Sequence, residues 1–139
     1  MDRTAMLAKV EAIYAAREKG DFAVLDTALA TGAEFSFAGA DAITRRFPGG
    51  QAGSIEGVAK ALFAALDMIE RKQLHAIVEG RKAAVMWQCR FRLPGGQPFD
   101  AKLYDLWEFD DEGRICRGTQ FFDTALLVAE MEAVMPAVG

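Results

Sequence analysis

The stretch from Pro98 to Asp123 reads as two strands joined by an acidic turn, with side chains of the first alternating between two faces. Leu103, Asp105, Trp107 and Phe109 share one parity, and Lys102, Tyr104, Leu106 and Glu108 the other. Side chains of a strand point alternately to opposite faces, so one face of this strand is apolar except for the carboxyl of Asp105. Asp110-Asp111-Glu112-Gly113 then makes a turn, with Gly113 free to adopt positive φ, and a second strand returns to Asp123. A longer strand over 84–93 alternates in the same way, with Trp87, Cys89, Phe91 and Leu93 against Gln88, Arg90 and Arg92, and ends in the hairpin loop Pro94-Gly95-Gly96-Gln97. Two further strands are expected, over 33–38, with Phe35 and Phe37 on one face, and over 73–79, which carries His75.

Helical spacing rules the rest. Met6, Val10, Ile13 and Tyr14 form a stripe over 4–19, closed by Lys19 and Gly20. Asp21 caps a second helix with the stripe Phe22, Leu25 and Leu29, ended by Thr31-Gly32. Ser54 is a candidate N-cap for a third helix with Val58, Leu62, Leu66 and Ile69, and Asp123 or Thr124 caps a last one with Leu127, Met131 and Val134. Residues 39–53, which hold Arg45, Arg46 and Phe47-Pro48-Gly49-Gly50, read as a long loop of the kind that forms lids or pocket rims. Short turns between the last four strands make them antiparallel neighbours, and the helices cover the apolar face of their sheet. A curved sheet folded over helices leaves a cone-shaped hollow. The reading is α+β, one domain over residues 1–139.

Composition narrows the partners. With 139 residues, 52% of them hydrophobic, the chain is long and apolar enough to bury a core. A net charge of −4 without a basic block argues against nucleic acid. No apolar run approaches the ~20 residues of a membrane span, and the N-terminus lacks a signal-type apolar stretch, so a cytoplasmic location is expected. One histidine and two separated cysteines, Cys89 and Cys116, make a metal site improbable, and no cofactor is expected.

The element order, the run Tyr104-Asp105-Leu106-Trp107-Glu108-Phe109, the acidic turn ending Gly113-Arg114-Ile115, and the closing Phe121-Phe122-Asp123 together resemble the SnoaL-like and ketosteroid-isomerase-like branch of the NTF2-like superfamily. Gly20-Asp21 and Gly57 add to the likeness. The resemblance implies a curved antiparallel or mixed sheet over three N-terminal helices, plus a short C-terminal helix. It also implies a homodimer formed through the outer sheet face and a pocket between helices and inner face. In the steroid isomerases a protonated aspartic acid on this strand donates to the developing oxyanion, and Asp105 matches it. The general base of those enzymes would fall at Phe37, which cannot take a proton. Their oxyanion-hole tyrosine would fall at Ile13, about 100° around the helix from Tyr14.

The candidate catalytic residues are Asp105, Tyr14, His75 and Gln120. Asp105, if it faces inward, has its pKa raised by desolvation and serves as general acid or base. In the opposite register it points outward or pairs with Arg90 or Arg92. Gln120 shares a parity with Cys116, Gly118 and Phe122, and either fixes a ligand oxygen or bonds within the sheet. Gly118 enlarges the hollow or marks a bulge. His75 is a base near neutral pH or an ordinary structural or exposed histidine. Tyr14 is core, with its hydroxyl within reach of the hollow. Phe35, Phe37, Phe63, Trp87, Phe91, Leu103, Trp107 and Phe122 are core residues from which an apolar ligand's walls would be drawn. Arg45 and Arg46 are a solvated pair or an anion clamp. The expected ligand is a small apolar or aromatic molecule, and the expected activity a cofactor-free isomerase or cyclase-like step on a carbonyl-bearing substrate. The alternatives are a ligand-binding or a dimerisation module without catalysis.

Overall fold

The two strands over 82–92 and 99–109 bury every second residue, and that alternation organises the computed structural model, which describes residues 1–21, 23–38, 53–54 and 66–134. Helix α1 spans Arg3–Lys19 and α2 spans Ala23–Ala28. Strands β1 (Leu29–Ala38), β2 (Gly53–Ser54), β3 (Asp67–Glu79), β4 (Lys82–Arg92), β5 (Phe99–Phe109) and β6 (Ile115–Phe122) follow, and helix α3 (Thr124–Val134) comes last. The strands form one curled sheet in the order β2-β1-β6-β5-β4-β3. β3 to β6 are antiparallel neighbours, as their short turns require, and β1 lies parallel to β6, which makes the sheet mixed.

The helix ends are chemically marked. The Asp2 carboxylate accepts from the Ala5 N–H at 2.8 Å, and Gly20 closes α1 at φ 67. The Asp21 carboxylate accepts from the Ala23 N–H, and that of Asp123 from the Leu126 N–H at 3.1 Å, opening α2 and α3. Helix α1 lays Met6, Val10, Ile13 and Tyr14 on the inner face of the sheet. It is fastened there by Arg71 of β3, whose guanidinium donates to both carboxylate oxygens of Glu11 at 2.6 and 2.7 Å and also to Glu18.

Four expectations are corrected. The second helix stops at Ala28. Leu29, assigned to its stripe, begins β1 and pairs with Ile115, so sheet pairing overrides a spacing that suits either element. Thr31 and Gly32 lie inside that strand, with Gly32 at φ 75 in a stretch where the β1–β6 register slips. Ser54 is the second residue of the short strand β2, paired with Glu34, and Ile69 lies in β3, where it is exposed. The helix expected between them, with Val58 and Leu62, lies outside the described residues, as do 39–52 and Phe22. Cys116 does not share the inward parity of Gln120. The ladder shifts beside Phe109, where Ile115 and Arg117 pair with consecutive residues, so Ile115 faces inward and Cys116 is half-buried.

The outer sheet face carries two uncharged rows. His75, Met86, Tyr104 and Phe121 align across β3 to β6, and Ile77, Ala84, Leu106 and Thr119 align beside them. Ile77 and Phe121 are 58% and 47% exposed. A charged row of Glu79, Lys82, Glu108, Arg117 and Glu34 borders them, with ion pairs from Lys82 to Glu108 at 3.6 Å and from Arg117 to Glu108 and Glu34 at 3.9 Å.

Gly118 is the tightest point of the inner face. A methyl group there would lie 2.5 Å from Cζ3 of Trp107 and 2.9 Å from Cδ2 of Phe35. The missing side chain therefore neither enlarges a hollow nor supplies a bulge; it lets the Trp107 ring lie across β6. Gly118→Ala must push two packed aromatic rings and is expected to cost about 1–3 kcal/mol, read as a lower urea midpoint at unchanged slope. An unchanged midpoint would show that the rings have room to spare.

Candidate functional site

The strict alternation of β5 decides where Asp105 points. Phe99, Ala101, Leu103, Asp105, Trp107 and Phe109 are all buried, and Asp105 is 0% exposed. Val85 of β4 lies on one side of it and Gln120 of β6 on the other. The outward alternative is excluded, and the arginines that would have served it are engaged elsewhere: Arg90 pairs with Asp100 at 3.0 Å and Arg92 with Asp67 at 3.5 Å.

Tyr14 covers this row from α1. Its ring centroid is 4.4 Å from that of Trp87 and 6.3 Å from that of Trp107. Trp87 pairs with Leu103, two residues to one side of Asp105, and Trp107 lies two residues to the other. A tyrosine that touches both rings therefore sits over the Val85–Asp105 row. Phe35 packs on Trp107 at 5.9 Å. Among the described residues, both Asp105 carboxylate oxygens, the Tyr14 hydroxyl and the indole nitrogens of Trp87 and Trp107 are buried without a hydrogen-bond partner. Leaving such a group unpaired costs about 1–3 kcal/mol each, so their grouping needs a reason.

Desolvation drives the Asp105 pKa well above its ordinary 3.8, because ionisation would place a charge among aromatic rings. The Gln120 amide opposes this by favouring the anion, though neither carboxylate oxygen reaches normal hydrogen-bond geometry. Burial outweighs the amide, and the group is an acid that keeps its proton above the usual carboxylate range. Cys89 is likewise pushed up, to about 11, by burial, against the opposing charges of Arg17 and Arg71. It is a neutral thiol, not a nucleophile.

The other expected residues divide. Leu103 and Phe35 belong to the Asp105 group. Phe91 and Phe122 pack on each other at 5.5 Å toward the far end of β4, where the Arg17 guanidinium lies 5.5 Å from the Phe91 ring centre. Phe37 is in register with Gln120, in the same cross-sheet row as Asp105. Phe63, Arg45 and Arg46 lie outside the described residues. His75 is removed from the group: it is exposed on the outer face, 6.2 Å from the Tyr104 ring.

Sequence reading missed Arg17 and Arg71. Arg17 is buried on α1 one turn beyond Tyr14, and desolvation lowers its pKa to about 10, which leaves it cationic at neutral pH. Its place three residues after Tyr14 on the apolar stripe was the available signal. Arg71 lies with its guanidinium 5.2 Å from the Trp87 ring centre, and the β3 register shifts hid its inward parity. Among the described residues no group of three or more histidine, cysteine or acidic side chains could hold a metal, and no helix is long and apolar enough to cross a membrane.

A curled mixed sheet with helices on its inner face places the chain in a recognisable class of α+β folds. The SnoaL-like domain family matches residues 10–118, and the chain belongs to that family. Solved structures agree on the NTF2-like fold. A protein from Rhodopseudomonas palustris described as a candidate isomerase is 17% identical, with a TM-score of 0.77 over 96% of this chain and 98% of its own. A candidate SnoaL-like polyketide cyclase from Jannaschia is 18% identical, with a TM-score of 0.74 over the same shares. An epoxide hydrolase from M. tuberculosis is 19% identical, with a TM-score of 0.67, again over 96% and 98%. No curated protein matches the sequence.

The raised Asp105 pKa has a stability consequence with a definite sign. Above about pH 4 the unfolded chain ionises this carboxyl while the folded chain keeps it protonated. The folded state then binds more protons, so its stability falls with rising pH, by at most about 1.4 kcal/mol per unit, until the folded pKa is passed. Asp105→Asn lacks this titration. Its stability relative to the parent is expected to grow from pH 4 to pH 8 in paired urea melts; a difference that stays flat across that range would mean that Asp105 ionises normally.

Proposed function

We propose that the interior around Asp105 is the pocket of a cofactor-free enzyme performing acid–base chemistry on a small, apolar, carbonyl-bearing molecule, an isomerase or cyclase-like step. One observation carries this reading: a fully buried carboxyl with no hydrogen-bond partner among the described residues, together with a buried tyrosine hydroxyl in the same condition. Asp105 in its protonated form donates to the ligand carbonyl, and the hydrogen bond strengthens as negative charge gathers on that oxygen. Tyr14 supplies a second donor, and Gln120 orients the ligand from the neighbouring strand. Leu103, Phe35, Trp87 and Trp107 form the apolar walls, with Phe91 and Phe122 at the far end. The carbon proton leaves to a base supplied by the ligand or by water, since Phe37 stands where the steroid isomerases carry theirs.

A second reading is a binding module that turns nothing over. Its support is that Asp105 is the one acidic side chain among the buried residues described, with no imidazole beside it. In either case the two uncharged outer rows suit a homodimer through that face, and the free thiols of Cys89 and Cys116 suit a reducing, cytoplasmic setting.

The test uses 2-tetralone in deuterated buffer, with exchange of its α-protons followed by NMR. The parent is expected to accelerate exchange and Asp105→Asn to lose about 10²–10³-fold of that acceleration. Binding without exchange favours the second reading, and equal exchange by parent and variant removes Asp105 from the chemistry. Sedimentation at micromolar concentration is expected to give a dimer for the parent and a monomer for Phe121→Glu. A monomeric parent would discard the outer-face interface.

A further inference from the structure

The outer face of the sheet carries charge in a fixed order along its strands. Beyond the Tyr104 row lies a further row, Lys72, Gln88 and Lys102, in register across β3, β4 and β5. Both lysines are exposed, and among the described residues neither enters an ion pair. Asp123 follows β6 at this end, and its carboxylate accepts from the Leu126 N–H. Beyond the Leu106 row, at the other end, Glu79, Glu108 and Glu34 set three carboxylates against the two cations Lys82 and Arg117, so that row is left acidic. The two uncharged rows between them differ in size. Met86 and Phe121 in one stand beside Ala84 and Thr119 in the other. The order along the strands is therefore basic, wide, narrow, acidic.

Such an order is complementary to itself when turned end for end. In a two-fold pair every contact between two different residues occurs twice. An axis along the strands would lay each row on its own copy, lysines on lysines and wide side chains on wide ones. An axis across the strands reverses the order of the rows and keeps each strand over its own copy. Lys102 then meets the partner's Glu108, Lys72 the partner's Glu79, Met86 the partner's Ala84 and Phe121 the partner's Thr119. Opposite charges face one another, and wide residues fill the space over narrow ones. Sheets pack face to face with strands nearly aligned, which this arrangement satisfies.

We propose that a second copy of this chain docks on the outer face with its strands antiparallel to those of the first, the lysine row of each copy lying over the acidic row of the other. This rests on the outer-face homodimer proposed above and goes beyond it by naming the contacts that select one arrangement of the pair. Like charges opposed across the face reject the arrangement with rows on their own copies, so Lys72, Lys102, Glu79 and Glu108 act on orientation more than on raw affinity.

Lys102 and Glu108 both lie on β5, about 20 Å apart along an extended strand, so they cannot pair within one chain. Sedimentation equilibrium of the full chain compares the parent, Lys102→Glu, Glu108→Lys and an equimolar mixture of the two variants. Each variant alone sets like charges together at both symmetry-related contacts and is expected to weaken the dimer about tenfold. In the mixture both contacts join opposite charges, and a mixed dimer is expected at near-parental affinity. Salt at about 1 M is expected to shrink the deficit of each variant. Should Glu108→Lys fail to fold beside Lys82 and Arg117, Lys72→Glu mixed with Glu79→Lys repeats the test on β3. A mixture no tighter than its components, or Lys102→Glu as dimeric as the parent, overturns the orientation and, with Phe121→Glu monomeric, leaves the outer-face dimer standing. A monomeric parent, or Phe121→Glu as dimeric as the parent, discards the outer-face interface and this inference with it.

Discussion

A carboxyl buried in an apolar layer, its pKa raised by desolvation, is the constraint around which the inner half of this protein is built. Ionised, Asp105 would need water or a cation, and the structure surrounds it with Val85, Leu103 and Trp107. Keeping it neutral requires that water stay out, which requires that α1 stay down on the sheet. That in turn depends on the apolar stripe of α1 and on the grip of Arg71 on Glu11 and Glu18. The same guanidinium lies over Trp87, whose ring is also in contact with Tyr14, so the clamp that fastens the helix also orders the site. Gly118 contributes from below by leaving the space that the Trp107 ring fills.

The sheet separates two tasks by parity alone. Residues of one parity make the aromatic interior. Those of the other make two uncharged outer rows edged by paired charges, one strand's thickness from that interior. A change on either face can therefore be made without touching the other, which helps one fold carry many chemistries. An acid stands in the central row, and two indoles stand beside a tyrosine.

Regular alternation was the most legible signal. Over β4 and β5 it is unbroken, and the shared parity of Trp87 with Phe91 and of Leu103 with Asp105 and Trp107 follows from it, while burial in the structure turned that parity inward. Capping chemistry marked α1 and α3 closely, since Gly20 and Asp123 have few other reasons to stand where they do. Legibility failed wherever the period broke. The displaced registers at Cys116, near Gly32 and along β3 each invert which residues face inward, and a bulge leaves no local mark that a period-two count can detect. Leu29 and Ile69 were misassigned because three- and four-residue spacing also occurs in strands that change register.

The amino-acid order by itself determined the class of fold, the parity of the central strands and the presence of one acid on an otherwise apolar face, because these depend on patterns a few residues long. Tertiary structure decided the rest. It placed His75 on the outside, set Arg17 and Arg71 against aromatic rings, and left Tyr14, Trp87, Trp107 and Asp105 buried together with their polar atoms unpaired. Tyr14, Trp87 and the Asp105–Trp107 segment lie far apart in the chain and meet only when strands pair and a helix is laid across the sheet. Their shared chemistry is a property of that packing, which no window of sequence contains.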